Sequence, residues 1–186
     1  MRLFAAIDID SHVRKRIANV QDRLKRELNL RGHQVKWVRP DLIHLTVKFL
    51  GEVPDKDVTR VCDVVTRTAA EFSGFDLQVR GMGVFGRPAR VVWVGCEPCP
   101  ALTGLQNELE EQFDRIGWPK ENRPFAGHLT LCRIKSVAAG KQLSQAVEAY
   151  KDEVFGTISV TELLLFESRL SSTGPEYTVV CTGTLK

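Results

Sequence analysis

The chain has 186 residues, 43% of them hydrophobic and 26% charged, with a formal net charge of +3. That length can bury a core as one domain or two small lobes, and the charge suits an anionic substrate but falls far short of the basic stripe of a dedicated nucleic-acid binder. No apolar run approaches the roughly 20 residues of a membrane span, no secretory leader stands at Met1-Arg2-Leu3, and five cysteines in mostly apolar runs fit reduced thiols in a cytoplasm.

In chain order, residues 3–9 form a short apolar strand that ends in Asp8 and Asp10. Ser11 or Asp10 caps the helix that follows. There Val13, Ile17, Val20, Leu24 and Leu28 recur at helical spacing, opposite Arg14, Lys15, Arg23 and Lys25, until Gly32 stops the run. A short strand over 35–38 meets Pro40, which breaks it before the strand that begins His44-Leu45-Thr46-Val47-Lys48-Phe49-Leu50. A second helix covers 54–72, with Val58, Val61, Cys62, Val65 and Ala69 on one face. Strands over 75–79 and 90–95 are joined by a Gly-rich turn region, and Leu102, Leu105, Leu109, Phe113 and Ile116 mark a third helix. After Gly117-Trp118-Pro119 and a polar loop comes the strand His128-Leu129-Thr130-Leu131-Cys132-Arg133-Ile134. A weaker helix follows over 139–152, then strands over 159–166 and 177–185 flanking the turn at 171–175.

The tripeptide His-Leu-Thr thus occurs twice, and it heads two of the chain's four histidines. In a strand, residues two apart share a face. Each copy therefore offers an imidazole and a hydroxyl on one side, with Leu45, Val47 and Phe49, or Leu129 and Leu131, anchoring a core on the other. The order of strands and helices is similar before and after about residue 80, which suggests a duplicated α+β unit. The expected fold is bilobal: two pseudo-symmetric antiparallel sheets, helices on their outer faces, and a central cleft lined by the motif strands. Residues 1–186 then make a single domain of two intertwined lobes, each contributing one His-x-Thr.

Cleaving a phosphodiester without a metal needs a base for the attacking water and an acid for the leaving alkoxide. Two imidazoles with ordinary pKa values near 6.5 can hold these opposite states around neutral pH. Two threonine hydroxyls can donate to the non-bridging phosphate oxygens as their charge rises. A 2′,3′-cyclic phosphate suits this set because its ring is strained and water is the only nucleophile required. No metal cage, Gly-rich phosphate loop or nucleophile elbow is evident, so neither a metal nor a cofactor is expected.

These residues resemble a known family. The chain is similar over nearly its whole length to bacterial RNA 2′,3′-cyclic phosphodiesterases of the LigT type, in the 2H phosphoesterase superfamily, formerly called 2′-5′ RNA ligases. The resemblance rests on Arg2-Leu3-Phe4-Ala5-Ala6-Ile7-Asp8, on Trp37-Val38-Arg39-Pro40, on the first motif through Gly51-Glu52-Val53, on Arg123-Pro124-Phe125, and on Gly174-Pro175-Glu176-Tyr177. It implies a LigT-like fold and hydrolysis of terminal 2′,3′-cyclic phosphate on RNA or nucleotides to a 2′-phosphate. It also places His44 and His128 as the catalytic pair, with His128 activating water and His44 protonating the departing 3′ oxygen. Thr46, Thr130 and Arg133 fall on substrate-binding positions. The family usually has Pro before the second histidine; Gly127 stands there instead, which loosens the entry to that strand. A cytoplasmic monomer acting on RNA ends or cyclic nucleotides, away from membranes, is the expected setting.

Blander readings compete at several positions. Strict alternation puts Arg133 with Leu129 and Leu131, so it reaches a ligand only if the strand ends or bulges. Lys48 shares the His44 face, where an exposed lysine is usually just solvated. Asp8 and Asp10 read as capping residues rather than metal ligands, His12 and His33 as surface groups, and Trp37 and Phe125 as core or as base-stacking rings. Cys96-Glu97-Pro98-Cys99, between a strand and a helix, has the local order of a thiol oxidoreductase, and a non-catalytic module binding RNA ends is a further alternative.

Overall fold

The computed structural model describes residues 1–172 and 174–186; Thr173, within the expected turn, lies outside the described residues. The elements in chain order are β1 (Arg2–Ile7), α1 (Ser11–Leu28), β2 (Val35–Trp37), β3 (Leu45–Glu52), α2 (Val58–Glu71), β4 (Phe75–Phe85), β5 (Val91–Cys96), α3 (Pro100–Arg115), β6 (His128–Ile134), α4 (Val137–Val147), β7 (Val154–Val160), β8 (Glu162–Ser171) and β9 (Gly174–Thr184). The strands run β7-β4-β5-β6-β3-β1-β8-β9 across the sheet, with β2 added on β6. Every pairing is antiparallel. This is the expected α+β architecture. Its two arms, β7-β4-β5-β6 and β3-β1-β8-β9, meet where Leu45 pairs with Leu129.

The helices cross over between the arms. α1 follows β1 in sequence but packs on β7 of the other arm, and α3 follows β5 but packs on β3 and α2. Each half of the chain thereby covers sheet contributed by the other half. The buried stripe of α1 is Val13, Ile17, Gln21 and Leu24, not the all-apolar stripe its spacing predicts. Gln21 is admitted because its amide donates to the carbonyls of Val38 at 2.7 Å and Leu131 at 3.2 Å, which satisfies the polar group that burial would otherwise penalise. α1 ends at Asn29, whose left-handed φ of 45° closes the helix before Gly32 is reached. Asp10 occupies the N-cap position without a capping side-chain hydrogen bond.

Several strand boundaries depart from the sequence reading, among them β8, which runs to Ser171, and β9, which begins at Gly174. The segment after α4 holds two strands, because Thr161 interrupts the run: β7 pairs with β4, and β8 with β1 and β9. β4 continues through Gly81 and Gly83 to Phe85. Glycine is needed at 83, where an added Cβ would stand 2.4 Å from Trp93. Among the described residues, no helix is long and apolar enough to cross a membrane.

Candidate active site

The seam between the arms is built from the two repeated motifs. Leu45 and Leu129 face each other with no exposed surface, so their neighbours point to the opposite side of the sheet. Continuing that antiparallel register sets His44 across from Thr130 and Thr46 across from His128. The two histidines are then diagonal neighbours, a relation of about 7–8 Å in an ordinary antiparallel pair. All four side chains are partly accessible. Neither threonine hydroxyl has a protein hydrogen-bond partner among the described residues.

Both rings are oriented in the same way. His44 Nδ1 lies 2.8 Å from the carbonyl of Leu42, and His128 Nδ1 lies 2.7 Å from the carbonyl of Ala126. A carbonyl can only accept, so each Nδ1 carries a hydrogen, and Nε2 is left for chemistry. The Ala126 bond holds the His128 ring despite the conformational freedom of Gly127. Aromatic rings back both histidines: Phe4 stacks on His44 at 4.7 Å with Tyr177 edge-on at 5.2 Å, and Phe85 meets His128 edge-on at 4.9 Å. Burial against this packing lowers the pKa of His44; the Leu42 carbonyl and Asp8 oppose the shift, and Arg14 adds to it. Arg14 also braces the approach to His44, donating to the carbonyls of Pro40 at 2.7 Å and Ile43 at 3.2 Å and to Asp8 at 2.6 Å.

Each motif strand contains a bulge just after its threonine, and alternation could not predict it. On β3, Ala6 pairs with Thr46 and Ala5 with Lys48, so Val47 is the extra residue. On β6, Trp93 pairs with Thr130 and Val92 with Cys132, so Leu131 is the extra residue. An extra residue reverses the facing of the residues beyond it, on β3 as far as a second bulge at Leu50. Lys48 is therefore buried, at 3% exposure, while Phe49 is 61% exposed. Both outcomes overturn the expectation of a solvated Lys48 and a core Phe49. On β6 the same reversal buries Cys132 and turns Arg133 out onto the side of His128 and Thr130. The positive charges of Arg133 and Arg2 oppose the upward pKa shift that burial gives the Tyr177 phenol.

Phe49 and Arg133 stand five residues after their respective histidines, one an exposed ring and the other an exposed guanidinium. Phe4, Phe49, Phe85 and Tyr177 lie near the histidines or on their face, and pattern reading gives none of them that place. For Phe49 no sequence signal is present, because its exposure follows from the bulge at Val47. Two hollows adjoin the rings Phe49 and Phe85. One of about 390 Å³ lies between Phe49, Leu50 and the loop from Trp118 to Arg123. Another of about 540 Å³ lies beyond Phe85, along Gly86 to Ala89 and Ser144.

The remaining candidates fall outside this cluster. Asp8 is engaged by Arg14, His12 is exposed on α1, and Trp37 and Phe125 pack against the core, Trp37 beneath the Lys25 ammonium at 5.6 Å. Cys96 closes β5 and Cys99 precedes α3, but burial pushes the Cys96 thiol up to about 12. That is the reverse of the low pKa a redox thiol requires.

Paired His-x-Thr strands that meet on one face of an antiparallel sheet define a two-histidine phosphoesterase scaffold. The chain belongs to the LigT-like phosphoesterase family, whose model matches residues 7–93 and again 94–177, one His-Leu-Thr in each span. It is 34% identical over 180 residues to an RNA 2′,3′-cyclic phosphodiesterase of Methanothermobacter thermautotrophicus, covering 96% of this chain and 95% of that one. It is 32% identical to the RNA 2′,3′-cyclic phosphodiesterase of Escherichia coli, covering 95% and 92%. Among solved structures, Escherichia coli LigT complexed with 3′-AMP superposes with a TM-score of 0.79 at 30% identity, covering 99% of this chain and 97% of that one. The protein TT0787 of Thermus thermophilus does so at 0.81 and 27% identity, covering 100% and 98%.

Proposed function

We propose that this chain hydrolyses the 2′,3′-cyclic phosphate at the end of an RNA to a 2′-phosphate, with His44 and His128 as acid and base. The relatives named RNA 2′,3′-cyclic phosphodiesterase support the substrate class. The observation that carries the chemistry is the orientation of the two rings, each with Nδ1 on a main-chain carbonyl and Nε2 unengaged on the shared face. His128 takes a proton from water as the oxygen attacks phosphorus, the P–O3′ bond breaks, and His44, held as imidazolium by the bound phosphate anion, delivers a proton to O3′. Thr46 and Thr130 donate to the non-bridging oxygens, and Arg133 adds a forked, permanently charged donor. Phe49 supplies a flat face for the terminal nucleobase. The protein works as a cytoplasmic monomer, one domain of two intertwined lobes with the phosphate held between them, and cyclic mononucleotides share the same chemistry.

The test is turnover of a short RNA ending in 2′,3′-cyclic phosphate, in EDTA, with products resolved as 2′- or 3′-phosphates. Accumulation of the 2′-phosphate is expected. Binding without turnover would make the protein a module for RNA ends instead.

A further inference from the structure

An enclosed ion pair lies just outside this machinery. Lys48 and Glu110 are 3% and 7% exposed, and Lys48 Nζ stands 2.6 Å from Glu110 Oε2. Burying two charges costs desolvation that an apolar pair avoids, and the matching position of the second motif is the uncharged Cys132. The remaining bonds show what the charges hold. Lys48 Nζ donates to the carbonyl of Pro119 at 2.7 Å. Glu110 accepts from the backbone N–H of Glu121 at 3.0 Å and from the Gln106 amide at 3.2 Å. The pair thus ties the loop after α3 to β3 at two points of its main chain, two residues apart. That loop and Phe49 enclose the hollow of about 390 Å³.

We propose that this hollow is the subsite for the nucleotide immediately 5′ of the one carrying the cyclic phosphate, and that the Lys48–Glu110 pair holds its outer wall in place. The inference rests on the reading of the site as an RNA cyclic phosphodiesterase. A nucleotide needs a flat apolar face for its base and a cation for its phosphodiester. The lining provides both. The Trp118 indole, with the Arg60 guanidinium 5.7 Å from its ring, and Pro119 offer the face. Lys120 is engaged by Glu111, whereas Arg123 has no ion pair among the described residues, so Arg123 is the cation left for phosphate. Glu121 is the one carboxylate on the lining, which keeps the positive ground narrow. Because Phe49 borders both the motif face and the hollow, a chain whose last base rests on that ring has cover for its next residue directly alongside.

The experiment compares kcat/KM for adenosine 2′,3′-cyclic phosphate with that for the dinucleotide ApA ending in the same cyclic phosphate. Wild type is expected to favour the dinucleotide by about tenfold, the scale of one base stack. Arg123→Ala and Trp118→Ala should bring the ratio near one, and Lys48→Met combined with Glu110→Leu should lower it while the folded protein is retained. Arg87→Ala, on the other hollow, and Lys15→Ala, on the outer face of α1, should leave it unchanged. A wild-type ratio near one, a ratio that survives both Arg123→Ala and Trp118→Ala, or one that falls instead with Arg87→Ala would overturn the assignment. Failure of both substrates to turn over would remove the underlying phosphodiesterase reading, and the subsite with it.

Discussion

Leu45 and Leu129 stand opposite each other at the seam of the sheet, fully buried, and through that one pairing the residues on either side of each leucine come to share a face. Two halves of the chain separated by 84 positions of sequence (129 minus 45) meet there with matching His-x-Thr segments. Removing either imidazole should therefore stop the same reaction. His44→Ala and His128→Ala are each expected to lower kcat by about 10²–10⁴-fold, read in EDTA on an RNA with a cyclic phosphate end. Near-normal rates in both variants would show that the pair does not do the chemistry.

Burial gives His44 a pKa below the ordinary 6.5. Its neutral form is favoured in the folded chain, so as pH falls the unfolded chain takes up that proton first. The stability His44 contributes is present above about pH 6.5 and is lost as pH drops through its lowered folded value. Titration of the ring followed by NMR should show a midpoint below 6.5, raised on addition of inorganic phosphate because an anion favours imidazolium. Tyr177→Ala, which wets the ring, should move the midpoint up toward 6.5. A His44 midpoint at or above 6.5 in the free wild-type protein would contradict the packing described.

Arg133 owes its place to the bulge at Leu131, and its planar fork can bind two phosphate oxygens at once. Arg133→Ala is expected to reduce kcat/KM by about tenfold to a hundredfold, the scale of a charge-assisted hydrogen bond, and Arg133→Lys to recover only part of it. Full recovery by lysine would mean that charge alone is used.

Breaking the Lys48–Glu110 pair on one side should cost more than removing it. Lys48→Met leaves a buried carboxylate without its partner, at about 3–5 kcal/mol. Adding Glu110→Leu should restore most of that loss, as read from urea unfolding midpoints. Equal destabilisation in the single and double variants would place the pair's value elsewhere.

Gly83→Ala tests the floor beneath His128. The new methyl would stand 2.4 Å from the Trp93 ring, which itself lies 5.3 Å from Phe85. A shift of that indole should cost about 1–3 kcal/mol and move Phe85 against His128. The expected kinetic mark is a fall in kcat with a smaller change in KM.

The elements with strong periodicity are legible from residue order: α1, α2, α3 and both motif strands lie where their apolar spacing puts them. The repeated tripeptide points to the candidate site, because a period of two sends His and Thr to one face. What lies beyond reach is the phase of each strand past its threonine. A bulge is stabilised by partners distant in sequence, as the Gln21 amide does for the Leu131 carbonyl, and no local pattern announces it. Lys48 defeats pattern reading for the same reason, since its partner Glu110 sits 62 positions away. β7 and β8 merge in the sequence because only one residue, Thr161, separates two apolar runs.

The twin bulges also bear on how a doubled chain can divide its labour. Past each insertion the outward position is released from packing duty, so a change there leaves the hydrophobic interior alone. One half has used that freedom for a flat hydrocarbon ring and the other for a fixed positive charge. The two equivalent places are thereby unlike, a ring at one and a guanidinium at the other, and each is open to replacement without disturbing the interior.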